Sequence, residues 1–249
     1  MLLRDFAGKI LLSEGVAFNK NIGVKGGSFG ELVHPSYSQI GFKSRILAFD
    51  RYKFSSFVAN SIIFRENHGY SYNTTGIPNP YFINFTDADF GPNYELLVEK
   101  LEVLNNTFEH SDSMVKFHKV NMTFKDYILS GNIGETSKSI LSITMDPYSR
   151  LEFQNLTAAN NNIDMGPIVD LILDKTIPAT KASCFDKNLQ ISNSKIVNNT
   201  SKFDTTFIHI DSMPWLWVTF ISTSLHNNYG VITNEFYAGH IRRLDFHKS

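Results

Sequence analysis

At 249 residues, with 42% hydrophobic and 19% charged residues, 21 phenylalanines and 10 tyrosines, the chain has the make-up of a folded domain rather than a disordered tail. Its formal net charge of -1 and pI near 6.7 exclude the basic face that would hold nucleic acid by its phosphates. No stretch nears the roughly 18 apolar residues of a membrane span, and the single cysteine, Cys184, read as a structural thiol, excludes an intrachain disulfide and a cysteine-ligated zinc.

The chain opens with MLLRDFAGKILLSEGVAF, where charges interrupt short apolar pieces, so it lacks a signal-peptide layout; it is either not secreted as written or its start lies upstream. Segments then recur that end in asparagine: GVAFNKN, SIIFREN, LEVLNN, YILSGN, LTAANN, SKIVNN and TSLHNN. Their anchors are Asn21, Asn67, Asn106, Asn132, Asn161, Asn199 and Asn228, and the positions ten, eight, five and three before each are mostly apolar. The first coil offers Leu11, Ser13, Val16 and Phe18. Residues 33–56 hold either a short coil around Ile40, Phe42 and Leu47 or a long excursion. The second coil offers Phe57, Ala59, Ile62 and Phe64, and residues 70–80 lengthen it. The third has Leu96, Val98, Leu101 and Val103, then Met114, Val115 and Phe117. The fourth has Met122, Phe124, Tyr127 and Leu129, then Ile140, Leu141 and Ile143. The fifth has Leu151, Phe153, Leu156 and Ala158, then Ile168, Val169 and Leu171, with an insertion at 174–188. The sixth has Leu189, Ile191, Ser194 and Ile196, then Phe207, Ile208 and Ile210. The seventh has Val218, Phe220, Thr223 and Leu225.

Alternation within each pair is the period of a strand with one buried face, and the step of three between pairs predicts a corner. The spacing therefore predicts an all-β chain: one domain over 1–249, a parallel β-helix of about seven or eight coils with three short strands and three corners each. Coils stacked at about 4.8 Å make a rod roughly 35 Å long, and the handedness of parallel crossovers predicts a right-handed helix. Each anchor asparagine is read as structure, suited both to a left-handed corner and to a ladder of stacked amides.

Seven Asn-x-Ser/Thr sequons occur, at Asn73, Asn84, Asn105, Asn121, Asn155, Asn198 and Asn199. Asn199 is also a ladder anchor and is expected to turn inward; the glycosylation candidates are Asn73, Asn105, Asn121, Asn155 and Asn198. Asp87 and Asp89, in FTDADFG, are the best local acidic pair for a metal or sugar. The outward positions of the best sheet, among them Glu99, Glu102, Glu152, Gln154, Gln190 and Thr219, mix single acids with lysine and amides and predict a solvated face. Trp215 and Trp217 are placed at a corner. The eight histidines lack metal-ligand spacing, so neither metal nor cofactor is expected.

With this repeat, the sequence resembles the pectin-lyase-like superfamily of right-handed β-helices. More narrowly, it is similar to the Asn-rich β-helix repeats of large cell-surface proteins, including polymorphic outer-membrane-protein-type repeats and comparable protist surface proteins. The segment NKNIGVKGGSFGEL (19–32), with Gly26 and Gly27, resembles their N-x-A-x-x-GG-A-I turn. The resemblance implies a fold, while activity does not follow from fold. Many relatives are polysaccharide lyases or hydrolases, whose chemistry needs paired carboxylates or a calcium-binding acidic cluster on one sheet face.

Leu2, Leu3 and Phe6 read as the end of an earlier coil, and Arg243–His247 as the start of a further one, so further coils or other subunits are expected at the ends. The expected function is a non-enzymatic structural or adhesion module of an extracellular or cell-surface assembly, with glycans as possible additions. The alternative is a polysaccharide-active or carbohydrate-binding β-helix.

Overall fold

The computed structural model describes residues 2–4, 9–12, 16–19, 22–23, 31–33, 45–50, 56–70, 81–86, 95–109, 113–118, 122–174, 188–210, 212–232 and 236–247. These are strand, bend, turn or irregular, with no helix among the described residues, and none that could cross a membrane as a helix. The strands form four sheets of nine, eight, seven and five strands. Neighbours within a sheet pair in parallel, one pass of the chain upon the next, which is the stacking of a solenoid.

The apolar spacing sets the register. Phe64, Val103, Leu129, Ala158, Ile196 and Leu225 stand in one line, each paired with the next. Leu151, Leu189, Val218 and Leu244 form another, with Phe153, Ile191, Phe220 and Phe246 beside it. All but Leu225, Leu244 and Phe246 are buried in one continuous core. Each fully buried side chain of this kind contributes on the order of 2 kcal/mol. The rings of Phe124 and Phe153 stack at 4.8 Å, and Tyr127 meets Phe124 edge-on at 5.0 Å.

Several local features differ from the spacing argument. The corner between the two apolar pairs is absent from two described passes. Ser56–Arg65 and Glu95–Leu104 are single ten-residue strands that run straight through it. In later passes the corner residues are Asp126, Asn155, Asn193 and Ser222, all left-handed with φ between 49° and 58°. Asn and Asp tolerate that conformation at low cost, whereas Ser61 and Lys100 stand at the same step in an extended strand.

The second corner falls one residue before each anchor, not on it. Glu66, Asn105, Gly131, Asn160, Asn198 and Asn227 carry the positive φ, and the anchors do not. A further short strand follows each anchor, as at Thr107–Glu109, Ile133–Glu135 and Asn162–Ile163, so passes from Met122 onward hold four strands rather than three. Its inward position is Phe108, Gly134, Ile163 or Ser201, too small and mixed to give an apolar alternation. Arg45–Asp50 forms its own layer in the nine-stranded sheet, between Glu31–Val33 and Tyr81–Thr86, whereas Ile40 and Phe42 lie outside the described residues. Trp215 and Trp217 sit not at a corner but within the strand Met213–Ile221, where the register shifts between Met213 and Trp217.

Candidate functional site

The anchor asparagines converge on one line inside the molecule. The side-chain amide of Asn67 donates to Oδ1 of Asn106 at 2.9 Å, Asn106 to Asn132 at 3.0 Å, and Asn132 to Asn161 at 2.9 Å. Asn161 donates to Asn199 at 2.9 Å, and Asn199 to Asn228 at 3.0 Å. The same Oδ1 atoms also accept the backbone N–H of the preceding asparagine, at 2.9–3.1 Å. The other amide hydrogen goes to the carbonyl three residues before the preceding anchor: Phe64, Val103, Leu129, Ala158 and Ile196. In Asn106, Asn132, Asn161 and Asn199, both donors and both acceptor sites of a buried amide are thereby used. Asn21 lies outside the described residues. Asn188, which the repeat did not single out, is also buried and accepts the backbone N–H of Trp217 at 3.3 Å.

Several carboxylates of the outer faces are taken up locally. Glu152 accepts from the amides of Gln154 at 2.7 Å and Gln190 at 3.0 Å. Glu102 pairs with Lys100 at 2.6 Å, and Asp164 with Lys202 at 2.7 Å. On the five-stranded sheet, Glu152, Gln190, Thr219 and Asp245 stand in register. Three strand spacings separate Glu152 from Asp245, about 14 Å, well beyond the roughly 5–9.5 Å between the two carboxylates of a glycosidase.

Asp245 belongs to a compact group. Trp217 donates its indole N–H to it at 2.8 Å, Arg243 donates through Nε at 3.0 Å, and the Arg243 guanidinium lies 4.5 Å from the Trp217 ring centre. The hydrogen bond from Arg243, opposed by desolvation and aided by Trp217, holds the Asp245 carboxyl below the usual range.

A second group lies on the nine-stranded sheet. His209 Nδ1 is 3.1 Å from Asp204 Oδ2, and the imidazole meets the Tyr237 ring edge-on. Ser142, Asp170, His209 and Tyr237 are in register on that face. Two spacings, about 9.5 Å, separate Ser142 from His209, too far for that hydroxyl to pass its proton directly to the ring. Neither group was legible in the sequence, because Tyr237 and Trp217 join them from a different pass of the chain. Among the described residues no group of three or more His, Cys, Asp or Glu could hold a metal ion.

Of the sequon asparagines, Asn105, Asn155 and Asn198 stand exposed at left-handed corners. Asn155 Nδ2 donates to Asp126 at 2.9 Å and Asn198 Nδ2 to Asn160 at 3.3 Å. Asn199 is fully buried in the ladder. Asn84 falls in the strand Tyr81–Thr86. Asn73 and Asn121, the pair Asp87 and Asp89, and Cys184 lie outside the described residues.

No family model, curated protein or solved structure matches this chain.

Proposed function

We propose that the chain is a non-enzymatic structural or adhesion module, a right-handed parallel β-helix of about seven or eight coils similar to the pectin-lyase-like superfamily. The observation that carries this reading is the ladder: a line of mutually bonded amides from Asn67 to Asn228 that ties each layer to the next. Such a line stiffens a rod without shaping a pocket, and it suits a spacer or a presenting surface. The commitment of Glu102, Glu152 and Asp164 to neighbouring amides and cations supports the same reading. An extracellular or cell-surface setting would put sugars on Asn105, Asn155 and Asn198, and further coils or subunits would meet the rod ends.

A second reading, carbohydrate binding, is favoured by one feature: the aligned Glu152, Gln190 and Asp245 beside Trp217 on one outer face. One experiment separates the two. The purified chain is incubated with acidic and neutral polysaccharides, and binding and new reducing or unsaturated ends are measured. The structural reading expects neither. Binding or turnover that Glu152→Gln or Asp245→Asn abolishes would overturn it. Expression in a secretory host, followed by enzymatic deglycosylation and peptide mapping, is expected to find sugar on those three corners and none on Asn199.

A further inference from the structure

The corner that follows the short strands after the anchors carries an exposed apolar ridge. The register Ile133, Asn162, Thr200, Tyr229 fixes the four strands. Beyond the strands the bond from Phe203 to Asp164 keeps that register, whereas those from Met165 to Ser137 and from Ile232 to Asp204 are displaced by two residues. Met165 and Phe203 therefore occupy equivalent places in successive layers, with Thr136 and Ile232 near the same corner in the layers on either side. Met165 is 45% exposed, Phe203 63% and Ile232 51%, with Val231 (61%) and Tyr229 (64%) alongside. Nothing in the core pattern requires large apolar groups there, since this corner points away from the interior and Thr136 fills it in an earlier layer.

We propose that this corner is the interface of a homodimer in which two rods lie side by side and antiparallel. Area is the first argument. The five side chains expose roughly 600 Å², the upper end of the largest patch usual on a monomer. Two copies would bury about 1,200 Å², the lower end of specific protein interfaces. Self-complementarity is the second. Asp164 and Lys202 are neighbours in adjacent layers of the next column and pair at 2.7 Å, with the Lys202 side chain 56% and the Asp164 side chain 14% exposed. A two-fold axis passing between their layers sets Asp164 against the partner's Lys202, and Lys202 against the partner's Asp164. The same axis sets Met165 against the partner's Phe203. Both ridges share one strand spacing, so the match repeats along the rod.

The inference is independent of whether the chain acts on a polysaccharide. Its test is sedimentation equilibrium of the full chain over roughly 1–100 μM, the weak end of the range that interfaces of standard size span. The expected mass is twice 28.3 kDa. Phe203→Asp is expected to give the single-chain mass with an unchanged strand circular-dichroism spectrum. Lys202→Asp is expected to weaken the dimer about tenfold, and Asp164→Lys added to it to restore the dimer. Three results would overturn the proposal: a wild-type chain that stays at single-chain mass, a dimer indifferent to Phe203→Asp, or a mass that grows without limit. The last would identify end-to-end stacking as the mode of association.

Discussion

Replacing Asn132 with alanine tests the ladder at its middle. The substitution removes the oxygen that accepts the Asn106 backbone N–H at 3.1 Å and the Asn106 side-chain amide at 3.0 Å. It also removes the donor to Val103 O at 2.7 Å and to Asn161 at 2.9 Å. Both stripped Asn106 donors belong to a fully buried residue. Leaving a buried donor unsatisfied costs about 1–3 kcal/mol, so two such donors and the lost cavity contacts sum to about 4 kcal/mol. Urea unfolding followed by circular dichroism reads this as a midpoint lower by at least about 1 M, given slopes of a few kcal/mol per molar for a chain of this size. Asn198→Gly is the control: it sits at an exposed left-handed corner where Gly131 occupies the equivalent place, and is expected to stay within about 0.5 kcal/mol of wild type. The double variant Asn106→Ala, Asn132→Ala is expected to cost less than the sum of the single changes, because the two share bonds. An Asn132→Ala chain within about 1 kcal/mol of wild type, or strict additivity in the double variant, would refute the ladder as a source of stability.

Gly131→Ala places a side chain at φ 66° and drives its Cβ into Oδ1 of Asn105, so a loss of at least about 1 kcal/mol is expected in the same unfolding assay. Tyr127 is fully buried, its hydroxyl has no hydrogen-bond partner, and burial raises its pKa well above the ordinary value. Tyr127→Phe is therefore expected to be neutral or stabilising by up to about 1 kcal/mol, and a clear destabilisation would show that the hydroxyl is satisfied in solution. The Asp245 carboxyl is held low chiefly by its hydrogen bond from Arg243, so its contribution is present above the unfolded value of about 3.9 and is lost as pH falls through the lower folded value. Trp217 fluorescence is expected to change in that acid window, and Asp245→Asn to remove the transition; a transition that survives the substitution would assign it to another group.

The repeat was readable because one inward line of apolar residues must be written into every pass, whatever the rest of the pass does. Leu151, Phe153, Leu156 and Ala158 show this, all four buried as their spacing demands. Asparagine at the anchor was equally legible, since a recurring polar residue among apolar ones must meet its own kind or remain unsatisfied. Less legible were features with no inward apolar signature. The strand after each anchor turns in phenylalanine, glycine, isoleucine or serine, and the left-handed residue beside the anchor can be Glu66 as well as Asn105 or Gly131.

The amino-acid order alone thus determined the period, the inward faces and the parallel stacking, because burial of alternate side chains is a local rule repeated along the chain. Only the tertiary structure decided which residues of different passes meet. It separated the left-handed corner from the ladder, since one residue cannot both reverse the chain outward and aim its amide along the core. It brought Trp217, Arg243 and Asp245 together, and it lined up Met165, Phe203 and Ile232 on one exposed edge. Those contacts depend on the lengths of the intervening segments, 26, 29, 38 or 39 residues between successive anchors, and layer-to-layer hydrogen bonding fixes how each such length is folded away.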